Sequence, residues 1–252
     1  MIPKIIHYCW FGKRKKPDVF YKCLATWGKY CPDFEIIEWN EENSKPFSNK
    51  FYKNALRKKK YAFAADFIRV KVLYEYGGVY LDTDMLLVNS INDLLKYNFF
   101  AGFESVSRVN YALFGGVSKN HFFKKMITFY DKNNFDEFDP PIITHTFKDV
   151  VKKDNLEGNE MLFEREYFYP LTYENKSKDY KLFITENTLG VHLWNHSWKI
   201  EKEETFVSIL NDIKSVCVNF LFYRYTRAYF FKYLSLFCKK LYHHTRNKFK
   251  KY

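Results

Sequence analysis

The stretch AADFIRVKVLYEYGGVYLDTDMLLV (64–88) constrains the fold more than any other part of the chain. Phe67, Val70, Leu73 and Tyr74 recur at intervals of three and four, which is a helical period, and Gly77–Gly78 supplies a left-handed cap. VYLDTDMLLV (79–88) then reads as a buried strand, entered directly from the helix. Asp82 and Asp84 lie two residues apart on it, so strand alternation puts both carboxylates on one face and Thr83 on the other. Two carboxylates held that close repel each other unless a cation lies between them. A hard divalent ion, Mg²⁺ or Mn²⁺, takes oxygen ligands and is held by one or two carboxylates plus substrate phosphates. The plainer reading is a strand that ends at a solvated turn, where aspartate is common. Asp66 and Arg69, three residues apart, occupy adjoining positions on one helix face. Taken alone they read as a surface ion pair of little worth.

The flanking sequence extends this unit. PKIIHYCWFG (3–12) reads as a strand and loop, Pro17 to Tyr30 as a helix opened by proline, and FEIIEW (34–39) as a second strand. Strand, helix and strand within forty residues predict a βαβ unit and a parallel sheet, with ligands bound at the carboxyl ends of the strands. FFAGFE and ALFGGV read as short strands, HFFKKMITFYDKN as a helix, DPPIIT as a turn, and LFITENTLGVHLWNHSW (182–198) as a closing strand with a polar, aromatic loop.

The run AADFIRVKVLYEYGGVYLDTDM (64–85) resembles the signature of the sugar-nucleotide-dependent glycosyltransferases of family 32, the DxD sugar-binding group that includes many capsule and lipopolysaccharide enzymes. It is also similar to the core of the glucosylating toxins. IPKIIHYCWFG at the start and HLWNHSW (192–198) agree in order and position, so the resemblance covers roughly residues 1–200. It implies a GT-A fold: α/β, Rossmann-like, a mostly parallel central sheet flanked by helices. Carried over by position, it implies that Trp10 stacks on the nucleotide base and that Asp66 and Arg69 hold hydroxyls of the donor sugar, with Tyr80 lining the same pocket. Asp82 would contact ribose and sugar, and Asp84 would ligate the metal. His192, Ser197 and Trp198 would close over the phosphates, with His192 joining Asp82 and Asp84 at the metal; Asn195 or His196 could serve in its place. Without the resemblance, Trp10 reads as core and His192 and His196 as ordinary loop histidines. The family is retaining, and no carboxylate in this sequence stands out as an inverting base.

Composition bears on the remaining third of the question. At 252 residues and 47% hydrophobic, the chain can bury a sizeable core. The five cysteines show no CxxC pair and no signal segment opens the sequence, so a cytoplasmic setting is expected. The net charge of +12 is uneven: after Asp212 there are ten basic residues and no acidic one, which leaves +2 for residues 1–212. Phe230, Tyr233, Leu234, Phe237 and Leu241 form one helical stripe, with Arg224, Lys232 and Lys239 on the other side. Such a tail could lie on an anionic membrane surface, pack on the body, or pair two subunits into a homodimer. The longest uncharged run there, SVCVNFLFY (215–223), falls short of the roughly 18 residues of a spanning helix, so no span is expected. Nucleic acid is set aside because the body is nearly neutral and carries no recognised nucleic-acid module.

The sequence therefore predicts a catalytic domain over 1–204 and a basic, aromatic helical tail over 205–252. The expected activity is metal-dependent, retaining transfer of a hexose or N-acetylhexosamine from a UDP-linked donor to a lipid-linked or surface-polysaccharide acceptor, at the inner face of the cell membrane. A toxin-like transferase acting on a protein hydroxyl and a catalytically silent sugar-nucleotide-binding protein are the alternatives.

Overall fold

The computed structural model describes residues 1–195 and 204–249, and the chain divides into two compact units, Met1–Trp198 and Lys199–Tyr252. The first unit opens with β1 (Ile5–Cys9), α1 (Asp18–Tyr30) and β2 (Glu35–Trp39), the expected strand, helix and strand. Then come α2 (Lys50–Arg57), α3 (Tyr61–Tyr76), β3 (Gly78–Leu81), β4 (Met85–Leu87), β5 (Phe99–Ser105) and β6 (Arg108–Gly116). The unit finishes with α4 (His121–Lys132), α5 (Ile143–Thr146), β7 (Glu160–Phe163), α6 (Arg165–Phe168) and β8 (Gly190–His192).

Six strands form one sheet in the order β2-β1-β3-β6-β5-β7. β1 pairs parallel with β2 and β3, and β5 with β7; β6 alone runs against its neighbours. This is the mostly parallel α/β arrangement of the GT-A class. Both faces are covered, as parallel sheets require. On β3, Tyr80 points into the cluster under α2, α3 and α4, with Phe67, Phe114 and Phe122, while Val79 and Leu81 point into the opposite cluster with Phe20, Trp27 and Phe168. Each of these rings removes enough apolar surface from water to contribute about 2–3 kcal/mol.

Two expectations fail in ways that matter for the site. VYLDTDMLLV is not one strand: β3 stops at Leu81, Asp82 to Asp84 form a turn closed by Met85 N–H on the Asp82 carbonyl at 2.9 Å, and β4 leaves the central sheet. The closing strand is also only three residues long, Gly190–His192, and pairs antiparallel with β4 in a separate two-stranded sheet, Met85 opposite His192. α1 holds β4 in place: the Trp27 indole N–H donates to the Met85 carbonyl at 2.7 Å, and the Thr26 hydroxyl accepts from Leu87 N–H at 3.0 Å.

Helix α3 ends as expected. Gly77 and Gly78 have φ of +70° and +106°, and a Cβ on Gly78 would stand 2.8 Å from the Ile5 carbonyl and 2.9 Å from His7 Nε2. Only glycine allows the helix to turn this sharply into the sheet beside β1. His7 secures the turn, its Nε2 donating to the Gly77 carbonyl at 2.9 Å while Nδ1 accepts from the Trp39 indole at 3.1 Å.

The second unit is a pair of helices, α7 (Phe206–Tyr223) and α8 (Arg227–Phe249). α7 opens on a Thr205–Ser208 capping box and ends at Arg224, whose φ is +55°. Its eighteen residues have a mean hydropathy of 1.3, long and apolar enough by length and composition to cross a membrane, contrary to the expectation drawn from 215–223. Of the expected stripe, Tyr233 and Phe237 are buried, the ring centroids of Phe220 and Phe230 are 4.6 Å apart, and Asn219 donates to the Tyr229 hydroxyl at 2.9 Å. The Phe220–Phe230 and Asn219–Tyr229 contacts cross the seam between α7 and α8.

Candidate active site

The carboxyl ends of β1, β2, β3 and β5 lie along one edge of the sheet, and the candidate residues gather there. Trp10 follows β1, Asn40 follows β2, Asp82 follows β3, and Glu104 stands near the end of β5. The turn after β3 brings Asp82 and Asp84 together; strand alternation has no part in it.

Asp66 and Arg69 are each only 7% exposed, so they are interior groups and not a surface pair. Arg69 Nη2 lies 3.0 Å from Asp66 Oδ1 and 3.2 Å from Asp82 Oδ1, and Nη1 donates to the Tyr111 carbonyl at 3.1 Å. The guanidinium sits over the Tyr80 ring at 4.6 Å, and the Tyr80 hydroxyl donates to Asp82 Oδ1 at 3.1 Å. Arg69 therefore gathers two carboxylates, and Asp82 is fixed from two sides. Tyr80, expected to line the pocket, is 1% exposed and acts through Asp82. Burial pushes the Asp66 carboxyl up to about 7, with Arg69 opposing and the Asp82 charge adding to the rise. Burial works against the Arg69 charge, yet Asp82, Tyr80 and Asp66 hold it protonated well above the ordinary value.

Asp84 meets β8. His192 Nε2 is 3.2 Å from Asp84 Oδ1, the Asn195 backbone N–H donates to Oδ2 at 2.8 Å, and Leu193 N–H donates to the Asp84 carbonyl at 3.0 Å. Of the alternatives left open by the sequence, Asn195 reaches Asp84 through its backbone, and His196 lies outside the described residues, as do Ser197 and Trp198. Burial raises the Asp84 carboxyl, but the charge and hydrogen bond of His192 outweigh it and hold Asp84 below its ordinary value. His192 moves the other way: burial lowers it, and Asp84 chiefly, with Asp82 and Glu104 adding, raises it overall.

One ligand atom from each of Asp82, Asp84 and His192 lies within 4.8 Å of the others. Two carboxylates and an imidazole fit a divalent cation. His192 Nδ1 is buried and has no hydrogen-bond partner, so the ring is not committed to any other group.

Trp10 is half-buried, and its indole N–H donates to the Arg14 carbonyl at 2.9 Å. With Arg14, Tyr21, Asn40 and Glu42 it lines a cavity of about 380 Å³ at the β1 and β2 end of the edge. On the other side of the turn is a pair that no sequence signal singles out. Asn110 donates to Glu104 Oε2 at 2.5 Å and accepts from Ala112 N–H at 2.8 Å, while the Ala112 carbonyl accepts from Asp82 N–H at 2.7 Å. The β5–β6 and β3–β6 pairings together bring Glu104 and Asn110 beside Asp82, and nothing in their spacing signals it.

Residues 17–101 match the glycosyltransferase sugar-binding region containing the DXD motif, and residues 119–221 match the alpha 1,4-glycosyltransferase conserved region. This chain is a glycosyltransferase with a DxD-type sugar-binding region. The second match continues to residue 221, past the roughly 200 residues over which the sequence resemblance was read, and takes in most of α7.

This glycosyltransferase is 29% identical over 203 residues to an uncharacterised glycosyltransferase of Acanthamoeba polyphaga mimivirus, covering 71% of this chain and 78% of that one. It is 31% identical over 131 residues to a mannosyl phosphorylinositol ceramide synthase of Saccharomyces cerevisiae, covering 50% of this chain and 35% of the relative. It is 25% identical over 148 residues to an alpha-1,4-N-acetylglucosaminyltransferase of Homo sapiens, covering 53% and 42%. The chain thus spans less than half the length of the last two. Among solved structures, the glycosyltransferase GlyE of Streptococcus pneumoniae TIGR4 superposes with a TM-score of 0.49 at 12% identity, over 80% of this chain and 58% of that one.

Proposed function

We propose that this enzyme transfers a hexose or N-acetylhexosamine from a UDP-linked donor to a lipid-linked glycan, with retention at the anomeric carbon. The observation that carries the proposal is the convergence of Asp82, Asp84 and His192 beside the buried Asp66–Arg69–Asp82 cluster, at the carboxyl edge of the sheet. Several relatives are named for transfer to ceramide lipids, which supports a lipid-linked acceptor over a free polysaccharide or a protein hydroxyl.

Asp82, Asp84 and His192 would hold a divalent cation, and when bound that cation would act as a Lewis acid toward the departing diphosphate. The Trp10 cavity would take the nucleotide base by stacking. Arg69 holds Asp82 in one orientation before donor arrives, which is the preorganisation that electrostatic catalysis requires. The Asp66–Arg69 pair offers a carboxylate oxygen and a guanidinium edge to sugar hydroxyls, keeping the donor clamped while the anomeric carbon gains positive charge. An α-linked donor and the alpha-1,4 region matched by residues 119–221 agree with a retaining course.

The test is hydrolysis of UDP-sugars without acceptor, with and without Mn²⁺. Slow UDP release that needs Mn²⁺ and falls at least 100-fold in Asp84→Asn is the expected result, on the scale at which electrostatic stabilisers of a leaving group act. Full activity in Asp84→Asn would remove the assignment. Tight donor binding with no UDP release under any condition would point instead to a silent binding protein.

A further inference from the structure

We infer that the outward face of the α7–α8 pair docks on an anionic lipid surface, lying in the interface without crossing it. The seam between the helices is already closed. Phe220 meets Phe230 near the connection, and at the far end Phe206 lies 6.1 Å from the His244 ring while Lys240 pairs with Glu204. A helix pair in water should turn its polar residues outward once its seam is filled. α7 does the opposite. Val207, Leu210, Leu221 and Phe222 are 64%, 43%, 68% and 73% exposed, and with Lys214 and half-buried Val218 they fall on one face at helical spacing. Only Ile209, Val216 and Asn219 of the eighteen residues are buried.

α8 adds the complementary chemistry. Phe231 and Tyr242, 65% and 59% exposed, share a face, with exposed Lys239 and Arg246 close beside it. Aromatic and aliphatic side chains flanked by lysine and arginine suit the boundary between head groups and acyl chains. The ten basic residues after Asp212, unopposed by any acidic one, give the anionic sign of the surface. A second copy of the tail would set ten cations against ten, so charge argues for lipid over self-association. α7 is long enough to span, but Asp212 and Lys214 sit near its middle, where charges are costly in a hydrocarbon core. In the interface, Lys214 can reach the head groups with its stem lying along the apolar face.

The experiment is flotation of the full chain with vesicles of phosphatidylcholine alone and of phosphatidylcholine with phosphatidylglycerol, at low and high salt. The expected result is at least tenfold tighter binding to the anionic vesicles, weakened by salt. Leu221→Glu with Phe222→Glu should reduce binding at least tenfold, and so should Lys239→Glu with Arg246→Glu. All four positions are exposed, and donor hydrolysis, unchanged in both variants, shows that the catalytic unit remains intact. Equal binding to both vesicle types, or undiminished binding by the Leu221→Glu, Phe222→Glu chain, overturns the inference. So does a concentration-dependent dimer that the same pair of changes dissociates while vesicles are ignored. Reconstituted protein that resists extraction by alkaline carbonate would show that α7 spans instead.

Discussion

Replacing Asp66 with asparagine should stabilise the protein at alkaline pH while removing activity. The wild-type carboxyl is buried and pushed up to about 7 from an ordinary value of 3.8. Between those two values the folded chain holds a proton that the unfolded chain has released, so folding stability falls as pH rises through the interval. A shift of about 3 units at about 1.4 kcal/mol each makes the ionised carboxylate cost about 4 kcal/mol above pH 8, and about 2 kcal/mol at pH 5. Asparagine keeps an oxygen acceptor for Arg69 Nη2 at the 3.0 Å position and carries no charge to desolvate. Urea unfolding of both chains from pH 5 to 8.5 measures the effect, and groups common to both cancel in the difference. Asp66→Asn should lose this part of the pH slope and be more stable at pH 8.5 by up to about 4 kcal/mol, while donor hydrolysis drops. If the variant is less stable at pH 8.5, or follows the same slope as wild type, the charge on Asp66 is fully compensated by Arg69 and the reasoning fails.

Other consequences can be read with the same measurements. Burial lowers His7 to about 4 from 6.5, against the Gly77 carbonyl bond, so it is neutral when folded and charged when unfolded at intermediate pH. Its contribution is complete above 6.5 and is lost as pH falls to about 4, roughly 3 kcal/mol in all; a His7→Gln chain with an unchanged acid transition would contradict this. Thr26→Val leaves the Leu87 N–H without its acceptor. The loss should be about 1–2 kcal/mol in thermal unfolding, with a weaker Mn²⁺-induced rise in Tm because β4 carries Asp84 into place. Gly102→Ala puts a Cβ 2.4 Å from the fully buried Phe168 ring, which should lower stability by about 1–3 kcal/mol; a neutral result would mean that α6 shifts freely.

The α/β frame was legible because its signals are long. The period of α3, the glycine pair and the apolar strands around them agree with one another, and that agreement across levels specifies a fold. The second sheet was invisible because β4 and β8 are three residues each, shorter than any period can resolve. Its register depends on Trp27 and Thr26, contributed from a helix some sixty residues upstream. Burial of Asp66 and Arg69 was hidden for a related reason. Spacing alone cannot tell a surface ion pair from a buried one, and here eight consecutive α3 residues, Phe63 to Val70, are all buried. The tail shows a related limit. Its aromatic stripe reads as helical, but a stripe does not say what covers it, and here Phe230 meets Phe220 of α7. The residues left outside, Leu221 and Phe222 among them, belong to a helix apolar on most sides, where no single face stands out in the sequence.

The two carboxylates of the DxD turn are held in different ways, and the difference has a consequence for catalysis. Asp82 is fixed by Arg69 and Tyr80, groups on the central sheet and its covering helix, and its side chain keeps 27% exposure. Asp84 is fixed by His192 and the Asn195 N–H, both from the segment of β8 and the loop after it, at 13% exposure. The site is thus assembled across two sheets, joined along the chain by the turn between β3 and β4. Relative movement of β8 would change the separation of Asp84 and His192 from Asp82 while leaving the Asp66–Arg69–Asp82 cluster intact. Loosening β4 at Thr26 should therefore weaken the cation first and the sugar contacts later. Changes at Arg69 should weaken the sugar contacts first and reach the cation only through Asp82, because among the described residues that side chain makes no hydrogen bond or ion pair with Asp84 or His192. Separate titrations of Mn²⁺ and of UDP-sugar on Thr26→Val and Arg69→Lys would show whether the two halves respond independently, and equal losses of both ligands in both variants would mean that the turn behaves as one rigid piece.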